Sequence, residues 1–495
     1  MDDAEKSATH LCTGVAGLDN VLGGGLVPSH VYLVEDELGT EKTTIAMRFL
    51  HEGAKRKRIG LYVTLSETES ELRASALAHG WHFDDYVTIM EVVPPERLLD
   101  AAHEQSLLYS SDLELGETTR KIFEAIERVK PQLVVLDSLS ELRLLAQGSL
   151  RYRRHILSLK HYFARHGATV ILLDDLTTET NDKTVHSVAH GVVILEQRAP
   201  DYGAEQRRLR VRKYRGQAFR GGYHDFAIKA DGVHVFPRSI AAGKPREFNR
   251  DTLPSGVSKL DVLLDGGIDT GSSSLILGPA GGGKSTLALL FAMAAVSRGE
   301  KAAIFLFDEE LGLLVKRMKV LGIDLQAMRD SGNFQLEQVD AAEMSPGEFA
   351  HRVCACVDEH SIKTVIVDSL NGYQAAMSDE NQLILHMHEL LQYLNRRGAT
   401  TFLTVAQHGL IGDMKSPVDL TYLADTVILM RYFEATGVVR RAISVVKKRT
   451  GGQEPTLREF GIHARGLWCD DILSNFQGVL RGTPTVVTPE VHRNA

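Results

Sequence analysis

The sequence predicts an α/β protein of two tandem domains, each a mostly parallel β-sheet with helices on both faces. Two observations support this fold class. The chain contains a long internal repeat, and inside each repeat short apolar runs alternate with amphipathic runs. Apolar runs of strand length, separated by amphipathic segments of helix length, are typical of parallel sheets that are covered on both sides.

The internal repeat holds one register from Thr13 to Glu67 without a gap. The segment Thr13–Gly25 matches Ser255–Gly267 at an offset of 255 − 13 = 242. Further matched pairs extend along the chain: Lys42 with Lys284, Glu67 with Glu309, Asp137 with Asp368, and Lys213 with Lys447. Chance similarity does not keep register over such a length, so two homologous domains are expected.

The domain boundaries follow from the repeat. We expect the first domain to span residues 1–240 and the second to span 254–495, with a C-terminal tail from about residue 474. Residues 241–253 are predicted to be a linker because Arg, Lys, Gly and Pro dominate this stretch.

The second repeat shows the alternation of elements most clearly. Strands are predicted at 274–277, 302–307, 364–367 and 400–405, and helices at 285–297, 311–321 and 382–396. In the first repeat, arginines alternate with apolar residues from Arg207 to Arg212, which predicts an exposed edge strand.

Composition limits the classes of function. The formal net charge of −8 argues against a broad basic surface for duplex nucleic acid. The four cysteines are too scattered for a disulfide framework, no apolar run is long enough to span a membrane, and the acidic N-terminus is unlike a signal peptide. We therefore expect a cytoplasmic protein without a membrane segment.

A phosphate-binding loop is predicted in the second repeat, between a strand and a helix. The segment from Gly278 to Ser285 fits the pattern G-x-x-x-x-G-K-[ST] at every position. The glycines let backbone N–H groups close around phosphates, Lys284 reaches the β and γ oxygens, and Ser285 is a ligand for Mg²⁺. The predicted ATP contacts are Gly278, Pro279, Ala280, Gly281, Gly282, Gly283, Lys284, Ser285 and Thr286.

Carboxylates follow two apolar strands of the same repeat. Asp368 ends one strand, where it can hold the Mg²⁺ shell beside Ser285. Asp308 and Glu309 end another strand, where a carboxylate can orient and deprotonate the attacking water. Three consecutive acids, 308–310, are also compatible with a solvated turn.

The corresponding loop of the first repeat has lost its two defining glycines. Asp36 and Glu41 stand at the two defining glycine positions, while Lys42 and Thr43 are kept. A carboxylate about 5 Å from a phosphate charge costs on the order of 3 kcal/mol at an effective dielectric constant of about 20. At the next strand end, Ser66 precedes Glu67 where the second repeat has Asp308 and Glu309. We therefore expect absent or very weak nucleotide binding in this half.

These motifs resemble the KaiC family of tandem RecA-like ATPases. Each repeat opens with [ST]-G-V-x-x-L-D followed by G-G, and each has an acidic strand end after the phosphate loop. Near the end of each repeat the family has a Lys-x-Arg-Gly motif, here Lys213 to Gly216 and Lys447 to Thr450. The tail 476–485 is also similar to the family's second domain.

The resemblance implies a homo-oligomeric ring, usually a hexamer, with ATP between neighbouring subunits and a signalling protein as partner. On that basis Lys447 and Arg449 would contact the γ-phosphate of the adjacent subunit; a cationic edge strand is the alternative. Clock members of the family phosphorylate adjacent Ser and Thr residues in the second domain. Here Thr421 falls at the Ser position and Tyr422 replaces the Thr, so Thr421 is the one candidate phosphoacceptor for an autokinase.

Two other functions share the same motifs. A RecA- or Rad-type DNA-dependent ATPase has the same core, but residues 408–422 offer one lysine, Lys415, and one aromatic residue, which is poor equipment for following a nucleic-acid backbone. The second site could also bind ATP without turnover, as a structural ligand of a scaffold.

Overall fold

The computed structural model describes most of the chain. The described residues are 10–36, 41–83, 85–92, 107–176, 184–199, 203–238, 248, 251–375, 377, 379–407, 409, 420–463, 466–481 and 484–486. The chain divides into two compact units between Arg238 and Ser239. Each unit is described separately below.

The first unit contains the strands β1 (Val31–Asp36), β2 (Gly60–Thr64), β3 (Val87–Glu91), β4 (Leu133–Asp137), β5 (Thr169–Asp175), β6 (Gly191–Arg198), β7 (Gln206–Tyr214), β8 (His224–Lys229) and β9 (Gly232–Phe236). Its helices are α1 (Leu18–Val21), α2 (Lys42–Lys55), α3 (Glu69–Ala78), α4 (Leu107–Val129), α5 (Leu139–Ala146), α6 (Ser149–Arg165) and α7 (Thr184–Val188).

Within the described residues these strands form one sheet in the order β3-β2-β4-β5-β1-β6-β7-β8-β9. The strands from β3 to β6 are parallel, and β7, β8 and β9 continue the sheet in antiparallel fashion. The central strands β1, β2 and β4 are buried along their whole length, which explains their mostly apolar sequences, although β1 and β4 end in acids. Helix α2 packs on one face of the sheet and α6 on the other, since their buried residues belong to separate apolar clusters.

The second unit repeats this architecture. Its strands are β10 (Thr252–Leu253), β11 (Ile268–Asp269), β12 (Ser273–Gly278), β13 (Lys301–Leu306), β14 (Phe334–Gln338), β15 (Ile362–Asp368), β16 (Thr400–Ala406), β17 (Thr426–Ala435), β18 (Val438–Lys448), β19 (Arg458–His463), β20 (Gly466–Ile472), β21 (Phe476–Gln477) and β22 (Thr485–Val486). Its helices are α8 (Ser258–Leu263), α9 (Lys284–Ser297), α10 (Leu311–Val320), α11 (Leu325–Asp330), α12 (Pro346–Glu359), α13 (Leu370–Ala375) and α14 (Glu380–Arg396), followed by a 3₁₀ turn, Val479–Arg481.

The main sheet of this unit has the order β14-β13-β15-β16-β12-β17-β18-β19-β20 among the described residues, the same topology as in the first unit. β12 lies between β16 and β17 and is parallel to both. Two homologous α/β domains are therefore confirmed. The strands and helices predicted in the second repeat agree with the structure to within a few residues at each end.

The prediction of an edge strand in the first repeat was wrong, and so was the edge strand considered as the alternative for Lys447 and Arg449. β7 lies between β6 and β8, and β18, which contains Lys447, lies between β17 and β19. The arginines of β7 have partners inside the fold: Arg208 contacts Glu196 in an ion pair and stacks on Tyr223, with 3.9 Å from the guanidinium carbon to the ring centroid. Periodicity alone does not distinguish an edge strand from an inner strand whose cations are paired.

The segments at the two domain ends are partly described. Thr252–Leu253 pairs with Ile268–Asp269 in a small two-stranded sheet, and residues 241–247 and 249–250 of the predicted linker lie outside the described residues. In the tail, Phe476 packs against Phe433 with 5.7 Å between ring centroids, and Val479 is buried.

Candidate functional site

The phosphate loop of the second unit connects the carboxyl end of β12 to the first residue of α9. Gly281 and Gly283 have φ of 72° and 102°, a region that favours glycine. A Cβ on Gly283 would approach the side chain of Ile462 to 2.6 Å, and one on Gly278 would lie 3.0 Å from the backbone oxygen of Met430. The glycine pattern therefore follows from the backbone conformation and from the closeness of the neighbouring strands.

Lys284 is buried within this loop and is folded onto its backbone. Its Nζ donates hydrogen bonds to the carbonyl oxygens of Gly278 at 3.1 Å and Pro279 at 2.9 Å. Burial lowers the pKa of Lys284, and the nearby carboxylates of Asp368 and Asp308 oppose that shift without hydrogen-bonding to the ammonium group. The ammonium group of Lys284 is thus hydrogen-bonded to neutral carbonyls.

The two predicted carboxylates, Asp368 and Asp308, lie beside the loop. Asp368, at the end of β15, accepts a hydrogen bond from the Thr404 hydroxyl at 2.5 Å and is buried. Asp308 follows β13, is exposed, and accepts a hydrogen bond from Ser369. Because the carboxyl ends of parallel strands meet at one edge of the sheet, both acids act electrostatically on the same Lys284.

The third predicted acid, Glu309, is bound to a basic side chain. Its two carboxylate oxygens accept hydrogen bonds from Arg317 at 3.1 and 2.6 Å. Arg317 also donates to the Thr286 hydroxyl at 3.3 Å. Neither contact of Arg317 was expected from the sequence.

Lys447 and Arg449 contact one turn of their own chain. Lys447 donates to the carbonyl oxygens of Thr421 at 2.8 Å and Ala424 at 2.7 Å. Arg449 donates to the carbonyl of Tyr422 at 2.6 Å. The two cations therefore lie together, next to the candidate phosphoacceptor Thr421; residues 410–419, which precede this turn and include Lys415, are outside the described residues.

The corresponding site of the first unit is closed by ion pairs. Lys42 Nζ lies 2.7 Å from Asp36 Oδ1 and also pairs with Asp175. Burial alone would lower the pKa of Lys42, but the hydrogen bonds to Asp175 and Asp36 outweigh it and the pKa is raised. The cation that would bind a phosphate is thus already neutralised by two carboxylates of its own chain.

Strand register explains why these two acids meet. Asp36 ends β1 and pairs in register with Asp175 at the end of β5. In the second unit the equivalent neighbours are Gly278 and Ala406. The first unit therefore has a carboxylate on each of two adjacent strands where the second has a glycine and an alanine.

Asp36 was predicted from the sequence, but the residues around it were not. Asp174 is buried and pairs with Arg143, and the Ser140 hydroxyl donates to both Asp174 and Asp175. Burial raises the pKa of Asp174 to about 6, although Arg143 and Ser140 act in the opposite direction. Matching Thr169–Asp175 to Thr400–Ala406 in the sequence would have revealed this second substitution.

Other parts of the first site are retained. Thr43 donates to Asp137 at 3.3 Å, as expected of a hydroxyl and a carboxylate that share a metal shell in related sites. Glu41 is the N-cap residue of α2, with φ of 68°, and its carboxylate accepts a hydrogen bond from Thr44. Burial raises the pKa of Glu67, with Asp137 adding to the shift. The exposed Ser66 occupies the position of Asp308.

Comparison with known proteins assigns the family. A family model described as KaiC ATPase matches residues 11–240 and 253–470, which is most of both units. The chain belongs to the KaiC family of ATPases.

The similarity extends over full-length KaiC proteins. The chain is 25% identical to the circadian clock oscillator protein KaiC of Acaryochloris marina over 507 residues, which covers 100% of this chain and 94% of that protein. It is 26% identical to the same-named protein of Rippkaea orientalis, with 98% and 94% covered, and 25% identical to the circadian clock protein KaiC3 of a Synechocystis strain, with 98% and 96% covered. The resemblance drawn from the motifs is confirmed.

The second site of this KaiC-family chain fits a nucleoside triphosphate with Mg²⁺. The loop has glycines where added Cβ atoms would meet neighbouring strands, its lysine has neutral hydrogen-bond partners, and Asp368 lies near that lysine. Ser285 and Asp368 would hold Mg²⁺, since hydroxyl and carboxylate oxygens suit that ion. The first site fits such a nucleotide poorly because Asp36 and Asp175 already form ion pairs with Lys42.

Two further features concern metals and membranes. Among the described residues, no three His, Cys, Asp or Glu side chains are grouped so that they could hold a metal ion by themselves. A Mg²⁺ ion of the kind expected here shares its ligands with the nucleotide, so this finding does not bear on it. No helix in the described part of the chain is both long and apolar enough to cross a bilayer.

Proposed function

We propose that this KaiC-family protein binds Mg·ATP at its second domain and hydrolyses it there, while the first domain serves as a scaffold that takes no part in turnover. The observation that supports this most directly is the contrast between the two loop lysines. Within the described part of the chain, the hydrogen-bond partners of Lys284 are backbone carbonyls, whereas Lys42 is paired with two carboxylates.

The residues of the second site divide the chemistry between them. Backbone N–H groups of the loop and the N-terminus of α9 bind the phosphates, with Lys284 against the β and γ oxygens. Mg²⁺, held by Ser285 and Asp368, would supply positive charge to the oxygens between which the bond breaks. Asp308 accepts the proton of the water that attacks the γ-phosphorus, and ADP leaves with the bridging oxygen.

A matched pair of hydroxyl substitutions tests the proposal. Ser285→Ala removes the metal ligand of the second site, and Thr43→Ala removes its counterpart in the first. We expect Ser285→Ala to abolish phosphate release and Thr43→Ala to leave most of it. After equilibration of the protein with Mg·ATP, the extracted nucleotide should amount to about one molecule per chain. The reason is that the loop lysine of the first unit, unlike that of the second, is already bound to carboxylates.

Two outcomes would contradict the proposal. One is a count of two tightly bound nucleotides per chain. The other is a loss of turnover in Thr43→Ala as large as that in Ser285→Ala. Asp308→Asn separates turnover from simple ATP binding. If the chain were only an ATP-binding scaffold, the variant and the wild type would both bind ATP, and neither would release phosphate.

We also propose that the chain forms a homo-oligomeric ring, a hexamer, that is read by a signalling protein. Family membership supports this, and the paired cations Lys447 and Arg449 are suited to a phosphate at a subunit boundary. Light scattering coupled to size exclusion, with and without Mg·ATP, measures the assembly; a monomer under both conditions would rule out the ring. In a ring that forms, Arg449→Ala should slow phosphate release.

Autophosphorylation is a further part of this proposal. Thr421 lies on a turn fixed by Lys447, close to the same cations that would face a neighbour's ATP. Phosphopeptide mapping after incubation with Mg·ATP would detect a modified Thr421, and an unmodified residue would remove the kinase activity from the proposal.

A further inference from the structure

The ion pair between Glu309 and Arg317 links the catalytic edge of the second unit to its phosphate-loop helix. Glu309 directly follows Asp308, and Arg317 lies on α10, which begins after this acidic turn. The guanidinium group holds both carboxylate oxygens of Glu309, at 3.1 and 2.6 Å, and reaches the hydroxyl of Thr286 on α9 at 3.3 Å. A planar guanidinium that binds a carboxylate with two bonds fixes the direction of that carboxylate.

The first unit provides an internal comparison. Helices α3 and α10 begin at equivalent positions, since 311 − 69 = 242, the offset of the repeat. At that offset the counterpart of Arg317 is Ser75 and that of Glu309 is Glu67. Burial raises the pKa of Glu67, with Asp137 adding to the shift and Lys42 opposing it.

Glu309 is not among the acids that shift the pKa of the loop lysine. In the second unit the carboxylates that influence Lys284 are Asp368 and Asp308. Glu309 is instead paired with Arg317, and its side chain is 29% exposed. The two units thus differ beside this glutamate position, since the first unit has Ser75 where the second has the arginine.

We infer that Arg317 is a positioning residue that holds Glu309 away from the phosphate site, so that Asp308 alone of the acidic pair faces an incoming triphosphate. This inference rests on the proposed function of the second site. Pairing with Arg317 also neutralises Glu309, which keeps one negative charge from opposing the binding of a polyanion. The contact with Thr286 fixes this arrangement to the helix that begins at Lys284.

A double-mutant cycle on the full-length protein tests the inference. Arg317→Met frees Glu309, and we expect a rise of roughly three- to tenfold in both the Kd and the KM for ATP, because an unpaired carboxylate lies within about 10 Å of the phosphates. The kcat should change by less than about twofold, since Asp308 is untouched. Arg317→Lys keeps the charge but not the two-bond geometry and should give an intermediate Kd.

The cycle distinguishes an effect through Glu309 from a direct effect of the arginine on ATP. In the Glu309→Gln background, Arg317→Met should no longer change the Kd, because there is no carboxylate left to release. An equal effect of Arg317→Met in both backgrounds, or no effect in either, overturns the inference. If Arg317→Met does not fold, Arg317→Lys in both backgrounds gives the same comparison with a smaller expected change.

The test separates this inference from the proposed function. Kd values come from displacement of a fluorescent ATP analogue and do not require turnover. Absence of phosphate release by the wild type would refute the proposed hydrolysis and leave the Kd cycle interpretable. If the wild type hydrolyses ATP and Arg317→Met changes the Kd equally with and without Glu309→Gln, only the role of Arg317 is refuted.

Discussion

Replacing the loop lysine by methionine should have opposite consequences in the two halves of the chain. In the first unit, Lys42→Met removes the partner of Asp36, which is 2% exposed, and of Asp175, which is 23% exposed. Breaking a buried ion pair from one side leaves an uncompensated buried charge and costs about 3–5 kcal/mol. Because Asp175 is partly solvated, we expect a loss near the lower end, about 3 kcal/mol, in the free energy of unfolding of the first unit.

In the second unit, Lys284→Met removes a buried ammonium group whose hydrogen-bond partners are two carbonyls. The lost hydrogen bonds and the relieved burial of a charge offset each other to within about 1 kcal/mol, so nucleotide-free stability should change little. Binding of ATP should be lost, since we propose that Lys284 contacts the β and γ oxygens. Lys42→Met should leave binding of ATP at the second unit intact.

Hydrogen exchange measured by mass spectrometry on the nucleotide-free full chain assigns each effect to its unit. Peptides that cover β1 and β5 should exchange roughly a hundredfold faster in Lys42→Met, which corresponds to about 3 kcal/mol. The exchange rates of peptides from β12 and β16 should be nearly unchanged in Lys284→Met. The reasoning is refuted if Lys42→Met leaves β1 and β5 protected, or if Lys284→Met destabilises its unit by as much.

Two further predictions concern single positions. Gly283→Ala places a Cβ 2.6 Å from the Ile462 side chain at a residue with φ of 102°, so we expect a loss of about 1–2 kcal/mol in stability and severely weakened ATP binding, measured by thermal unfolding and nucleotide titration; unchanged binding would contradict the role of this glycine. Burial raises the pKa of Asp174 to about 6, above its unfolded value, so the folded first unit binds more protons between about pH 4 and 6 and its stability should fall as pH rises through this window, by at most about 3 kcal/mol. Denaturant unfolding from pH 4 to 7 checks the sign, and Asp174→Asn, as control, should flatten the profile; an Asp174→Asn profile as steep as that of wild type would assign the effect to another group.

Much of the fold was predictable because it depends on local patterns. The buried strands β12, β13, β15 and β16 each contain a short apolar run, and the helices that follow have helix-length patterns, such as the amphipathic α14, so both elements and their order follow from the sequence. The glycine loop was predictable for the same reason, since its conformational demands are met by residues next to one another in the chain.

The position of a strand within its sheet was not predictable in this way. The cations of β7 and β18 suggested edges, yet both strands lie inside their sheets. An inner strand tolerates charged residues when other elements supply partners, as Glu196 does for Arg208. Such partners are distant in sequence, and no local pattern identifies them.

By itself, the sequence determined that the chain has two related α/β domains and that only the second has an intact phosphate loop. The tertiary structure decided which groups bind the lysine that follows the first loop. Strand register places Asp175 beside Asp36, and the two carboxylates together neutralise Lys42. It also decided where Glu309 points, through an arginine eight positions further along the chain. The physical reason is that electrostatic interactions depend on distance and burial in three dimensions, whereas sequence periodicity reports only which face of an element is apolar.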